Sequence, residues 1–252
     1  MNLTVLGSGS SVPHKDRSSS AYWLETSLGT ILLDCAPSAI HRMAQEGLDW
    51  PNLDAIWISH FHLDHVGGLF PLLFSTKYAP QTQDREKPLK IFGPVGLSAL
   101  FETVDSANNY RLASQPFPLE FVEVHPLEDF ELLPGVTGVG LDTPHTPESM
   151  AVRITDGSRS MVFSSDTGFT KALATFAHET DLLIVECSFI KNKPVESHLK
   201  LAEVEYIVRH AKPKRAMLTH FYPEWDEVKF EDLAGTELIE ARDGLSIRIG
   251  DL

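Results

Sequence analysis

The chain is poor in the features that build a secreted, membrane-spanning or polyanion-coating protein. Its 252 residues include only two cysteines, Cys35 and Cys187. Two thiols cannot frame a disulfide scaffold, and such usage fits a reducing compartment. No apolar run approaches the ~18 residues that a membrane-crossing helix needs. Met1 to Ser11 lacks the basic segment and long apolar stretch of a secretion signal. The expected location is therefore the cytoplasm, with no membrane partner. Basic side chains are scarce as well: 21 Lys and Arg stand against 35 Asp and Glu, a formal charge of −14. Proteins that coat nucleic acid carry a basic patch, so broad polyanion binding is disfavoured. Chemistry on a single phosphate is not, because bound cations can invert the local field.

What is present is an ordinary globular mixture, 42% hydrophobic, 9% aromatic and 22% charged. That decides against a disordered, collagenous or coiled-coil chain. The length can bury a sizeable core, and residues 1–252 are expected to form one layered domain. Period-2 and β-branched runs predict strands at Leu3–Leu6, Ala21–Thr26, Thr30–Asp34, Ala55–Ser59, Leu89–Phe92 and Leu119–Val124. A second set follows at Val136–Leu141, Met150–Ile154, Ser160–Ser164, Leu182–Glu186, Arg215–Thr219 and Leu245–Ile249. Helical spacing marks Pro37–Glu46 (stopped by Gly47), Gly96–Val104, Thr170–His178, Lys200–Ala211 and Lys229–Leu233. Tyr78–Pro88, rich in proline, glutamine and charge, is the most loop-like stretch. Strands and helices alternating through both halves predict an α/β sandwich, sheets inside and helices outside.

The sharpest chemical signal is His60-Phe61-His62-Leu63-Asp64-His65. These four metal-capable side chains directly follow an apolar strand. A loop leaving a strand can turn alternate residues inward, so His60 and His62 can share one ion while Asp64 and His65 face a second. Imidazole and carboxylate without thiolate suit Zn²⁺, with Mn²⁺, Fe²⁺ and Ni²⁺ also compatible. His145, Asp166 and His220 each follow a predicted strand end, where a rigid scaffold carries functional loops. Singly each could be a turn or cap residue, and Asp166 in particular an N-cap. Together with the cluster they supply five histidines and two aspartates, enough for two ions. Cys35 and Cys187 have no basic partner in a catalytic pattern and read as small core residues. Gly7-Ser8-Gly9-Ser10-Ser11 lacks the Lys-Ser/Thr end of a phosphate loop and reads as a tight turn. His14, His41, His125, His178 and His210 have no ligand spacing.

Over nearly its whole length the sequence resembles the metallo-β-lactamase-fold hydrolases, and within them the ribonuclease Z and phosphodiesterase branch. The resemblance is carried by the histidine cluster and by three further segments. These are Leu6-Gly7-Ser8-Gly9 with Pro13 and Arg17, Leu33-Asp34-Cys35, and Val185-Glu186-Cys187 followed by Ser197-His198-Leu199. It implies a four-layer αββα sandwich with two divalent ions at the edge of its sheets. It also implies that His60, His62 and His145 hold one ion and Asp64, His65 and His220 the other. Asp166 would bridge them, and Asp34 would be a supporting aspartate. The branch usually has glycine where Ala36 stands, and threonine where Lys200 follows the late histidine motif.

The implied reaction is hydrolysis of a phosphodiester by hydroxide generated between two ions about 3.5–4 Å apart. Asp64 would accept a proton from the attacking water. His198, oriented by Glu186, would protonate the leaving group, by resemblance to ribonuclease Z and by the general logic of a carboxylate-held histidine. The same scaffold also serves hydrolases of lactones, thioesters or β-lactams, which lack a dedicated histidine acid at that place, and non-catalytic metal-binding modules. Ribonuclease Z enzymes that grip transfer RNA extrude a long arm between the motifs matched here by His145 and Asp166. This chain has no room for one, so the expected partner is a small or short phosphodiester rather than precursor tRNA. A homodimer is compatible with the resemblance.

Overall fold

A computed structural model of the chain describes residues 1–228 and 236–250. The first half contains β1 (Asn2–Gly7), β2 (Ala21–Thr26), β3 (Gly29–Leu33), β4 (Ala55–Trp57), β5 (Leu89–Pro94) and β6 (Leu119–Val124). The second contains β7 (Asp129–Leu133), β8 (Val136–Asp142), β9 (Met150–Thr155), β10 (Ser160–Phe163), β11 (Leu182–Glu186), β12 (Arg215–Thr219) and β13 (Glu237–Glu240). The last strand, β14 (Ser246–Arg248), returns to the first sheet and pairs with β1. Two seven-stranded mixed sheets result, ordered β14-β1-β2-β3-β4-β5-β6 and β13-β12-β11-β10-β9-β8-β7. Helices α1 (Ala39–Gln45), α2 (Leu63–Val66), α3 (Leu69–Tyr78) and α4 (Leu97–Ala107) belong to the first half. In the second half lie α5 (Lys171–Phe176) and α6 (Leu201–Ala211).

Strand periodicity explains the layering. Side chains alternate between faces, and in the central strands both faces are apolar. In β2, β3 and β4 the residues Tyr22, Leu24, Ile31, Leu33, Ala55 and Trp57 point into the core shared with the second sheet. Their neighbours Ala21, Trp23, Leu32 and Ile56 join a separate core with Ala39 and Met43 of α1, Leu72 and Leu73 of α3, and Phe101 of α4. Aromatic rings interdigitate between the sheets: Tyr22 meets Phe163 at 5.2 Å, and Trp57 stacks on Phe130 at 5.5 Å. Helix, sheet, sheet, helix gives the expected αββα sandwich.

The predicted strands are all present, with small shifts at their ends. Strand β4 stops at Trp57 rather than Ser59, because the Ser59 N–H is taken out of the ladder by the Asp34 carboxylate at 2.8 Å. Four elements are additional to the expectations, one of them the single-turn helix α2 in the histidine loop. Helix α3 is apolar on nearly every side and contains Pro71, so it carries no amphipathic period. The strands β7 and β13 are sheet edges whose acidic residues hide their alternation. Tyr78 closes α3, and the rest of the Tyr78–Pro88 stretch is irregular apart from a short 3₁₀ turn at Pro80–Thr82. The helix expected at Lys229–Leu233 lies outside the described residues.

Gly68 shows how tightly the histidine loop is docked. Its N–H donates to the Cys35 carbonyl at 2.7 Å, and a Cβ there would stand 2.1 Å from the Ala36 carbonyl oxygen. Both neighbours are backbone, so neither can swing aside. Gly68→Ala is expected to cost about 1–3 kcal/mol of stability, read as a lower denaturant midpoint at unchanged slope.

Candidate metal centre

The site is assembled almost wholly from loops leaving the carboxyl ends of strands, the usual binding edge of a parallel sheet. Asp34 follows β3, His60 to His65 follow β4, and His145 follows β8. Asp166 follows β10, Glu186 ends β11, and His220 follows β12. Asp34, Ser165 and His220 all adopt positive φ (55°, 51° and 59°). Non-glycine residues in this region are uncommon and strained. Here the strain falls where chains leave the sheets to turn side chains inward.

The structure brings the seven candidate ligands into two groups that share Asp166. One is His60, His62, His145 and Asp166; the other is Asp64, His65, His220 and Asp166. Donor atoms at 2.0–2.1 Å from one tetrahedral ion lie roughly 3.3 Å apart. The observed separations bracket that value. His145 Nε2 is 2.9 Å from His62 Nδ1 and 3.7 Å from Asp166 Oδ2. His65 Nε2 is 3.3 Å from Asp166 Oδ1, and His220 Nε2 is 3.3 Å from Asp166 Oδ2. Asp64 Oδ2 lies 3.6 Å from His65 Nε2 and 3.8 Å from His220 Nε2.

Unsatisfied atoms give an independent test of fit. Among the described residues, five buried side-chain polar atoms lack a hydrogen-bond partner. Four of them are His60 Nε2, His65 Nε2, Asp166 Oδ1 and His220 Nε2, the fifth being Trp57 Nε1. Each such orphan in a protein interior costs about 1–3 kcal/mol. Four orphans divided over the two ligand groups, all nitrogen or carboxylate oxygen, fit cation binding, and the donor set matches Zn²⁺ chemistry.

Behind the ligands, hydrogen bonds fix the rings of His60, His65 and His145. Asp34 Oδ2 accepts from His65 Nδ1 at 2.6 Å and from Ser59 Oγ at 2.9 Å. Ser59 Oγ lies 3.0 Å from His60 Nδ1 and accepts from Ser165 Oγ at 2.5 Å. His145 Nδ1 donates to the Ser197 carbonyl at 2.9 Å. These bonds place each remaining imidazole nitrogen toward the shared centre.

Burial opposes charge on His65, yet the carboxylates of Asp166 and Asp34 hold its pKa well above the ordinary value. Burial likewise works against the Asp166 carboxylate, but His220 and His65 keep its pKa well below the usual range. For His60, burial and then the neighbouring His65 push the pKa down. Neutral imidazole is the metal-binding form.

Glu186 and His198 adjoin this centre. Glu186, 1% exposed, accepts from Thr167 N at 2.7 Å, Leu199 N at 3.0 Å, Ser188 Oγ at 2.7 Å and His198 Nδ1 at 2.9 Å. His198 is itself buried, its Nδ1 4.0 Å from Asp166 Oδ2, so it is not a surface residue at a helix start. Asp166 is likewise no helix cap, since Thr170 caps α5. A cleft of about 760 Å³ opens alongside, lined in part by Phe189, Lys191, Lys200 and Tyr222. The Phe189 and Tyr222 rings lie 6.3 and 6.5 Å from His198. Cys35 and Cys187 are buried free thiols whose pKa values burial raises. The Gly7–Ser11 turn lies against the centre: the Ser8 carbonyl accepts from Phe221 N, beside His220. Sequence reasoning missed the hydroxyls of Ser59, Ser165 and Ser188, whose only signal is their place beside the carboxylates and strand ends.

Fold and centre together are those of a metallo-hydrolase of the metallo-β-lactamase fold. Residues 1–243 match the family described as Anti-Pycsar protein Apyc1, and the chain belongs to that family. It is 27% identical to the "Probable metallo-hydrolase YhfI" of Bacillus subtilis (strain 168), over 87% of this chain and 86% of that protein. It is 29% identical to ribonuclease Z of Shouchella clausii, with the same coverage. In structure it is similar to the short form of human tRNase Z, with a TM-score of 0.81, 21% identity and full coverage of both chains. A diphosphatase of the PhnP family gives a TM-score of 0.74 at 22% identity, covering 99% of this chain and 98% of that one. Among the described residues no helix is long and apolar enough to cross a membrane.

Proposed function

We propose that the chain is a phosphodiesterase that works with two divalent ions, Zn²⁺ by preference and Mn²⁺ or Fe²⁺ as alternatives. His60, His62 and His145 would hold one ion and Asp64, His65 and His220 the other, with Asp166 between them. Ions bound there would supply Lewis acidity and a water of lowered pKa. The observation that carries the phosphodiester reading is the buried Glu186–His198 pair at the edge of the centre. Burial disfavours protonated His198, but the hydrogen bond and charge of Glu186 raise its pKa overall. Because Nδ1–H is committed to Glu186, Nε2 is the nitrogen that can deliver a proton to a departing alkoxide. Asp64, less buried than Asp166, would take a proton from the attacking water. Among the described residues the ammonium groups of Lys191 and Lys200 make no hydrogen bond or ion pair, which suits an anionic substrate. A cleft of this size suits a small ligand.

Substrate size follows from what fills the interval between His145 and Asp166. Strands β9 and β10 pair antiparallel there through the turn at Asp156, whose Oδ1 accepts from the backbone N–H groups of Ser158 and Arg159. No extruded arm is present in that interval, and the chain carries −14 overall. Binding a tRNA-length polyanion needs several phosphate contacts. Short phosphodiesters are therefore expected to be turned over with a higher kcat/KM than precursor tRNA, at fixed salt and with Mn²⁺ and Zn²⁺ tried separately. Efficient, correctly placed 3′ cleavage of precursor tRNA would overturn the size argument. A panel of bis(p-nitrophenyl) phosphate, a thioester and a lactone tests the reaction class: only the first should turn over efficiently.

A further inference from the structure

We propose that Ser188 is a positioning residue that ties His220 to the carboxylate orienting His198, an inference that rests on the two-ion reading above. The hydroxyl has a single proton, and it is donated to Glu186 Oε2 at 2.7 Å. The 2.9 Å contact between Ser188 Oγ and His220 Nδ1 must then be donated by the ring. His220 is thereby fixed as the Nδ1–H tautomer. Its Nε2, buried without a partner and 3.3 Å from Asp166 Oδ2, keeps its lone pair aimed at the candidate centre.

The same device occurs on the other side. Asp34 holds His65 directly and reaches His60 through Ser59, whose hydroxyl donates to Asp34 and lies 3.0 Å from His60 Nδ1. Each buried carboxylate thus governs two imidazoles, one by contact and one through a serine. Glu186 differs in what it joins: His198 on one oxygen and, through Ser188, His220 on the other. His198 does not depend on Ser188 in the same way. Its main acceptor is Glu186 Oε1 at 2.9 Å, with Ser188 Oγ at 3.4 Å, and Glu186 keeps the Thr167 and Leu199 N–H donors.

Removing the hydroxyl leaves the buried His220 Nδ1–H without its acceptor. The other tautomer, with its proton on the nitrogen facing the centre, gains population. Bonds of this kind behind a ligand are typically worth 10–100-fold in metal affinity. Ser188→Ala should therefore weaken binding of one Zn²⁺ by about that factor in competition with a chromophoric chelator, leaving the other ion at wild-type affinity. At saturating metal, its preference between poor and good leaving groups should stay that of the wild type, whereas Glu186→Gln should change both affinity and preference. Ser188→Thr, which keeps a hydroxyl, should restore the affinity. The tautomer is readable without metal or turnover, from the ¹⁵N shifts of the His220 ring in the metal-free wild type, where Nδ1–H is expected. A His220 ring protonated at Nε2, or a folded Ser188→Ala variant that binds both ions as the wild type does, would overturn the proposal. A wild type that binds no ion would instead overturn the two-ion reading, and the ¹⁵N measurement would still decide the relay.

Discussion

Replacing His198 by alanine should lower kcat by about 10²–10⁴-fold, the usual worth of a positioned general acid, on a phosphodiester whose alkoxide departs poorly. On bis(p-nitrophenyl) phosphate the loss should stay within about tenfold, because p-nitrophenolate leaves without a proton. The contrast follows from the site: Glu186 commits His198 Nδ1 at 2.9 Å, and the ring packs 4.8 Å from His145 and 5.2 Å from His220. A merely structural histidine would depress both substrates equally. Parallel measurement of kcat on the two esters distinguishes the cases, and equal losses would remove His198 from proton transfer.

Asp166→Asn should be the most damaging conservative change in the chain. The carboxylate is 2% exposed and lies within 4.0 Å of nitrogens on His60, His65, His145, His198 and His220. It belongs to both ligand groups, so its loss cannot be confined to one ion. Taking several kcal/mol as the transition-state stabilisation from bound metal, turnover should fall on the order of 10³-fold or more. Metal content should fall with it, measured by elemental analysis of folded protein. A variant retaining both full metal content and turnover would show that Asp166 is no ligand.

How much of this was legible in the sequence depended on how local each signal was. The strands are legible because most are buried on two faces, and β11 coincides residue for residue with the expected Leu182–Glu186. Helix α3 was not legible: Leu69–Tyr78 has no polar stripe to set a period. His60 to His65 announced themselves by spacing. His145, Asp166 and His220 stood out by their places after strands, and their division between ions came from family resemblance. The serines were invisible for a physical reason. Nothing in Ser59 or Ser188 differs from a turn serine until the fold sets a carboxylate on one side and an imidazole on the other. The orphaned nitrogens are likewise a property of packing, not of residue type.

The most direct test of the account is to count and locate the ions in protein purified without chelator, by elemental analysis together with anomalous scattering from crystals. The account predicts about two divalent ions per chain, roughly 3.5–4 Å apart. One should lie among His60, His62 and His145 and the other among Asp64, His65 and His220, with Asp166 touching both. Ions bound away from these residues, or phosphodiester turnover by protein that holds none, would contradict it.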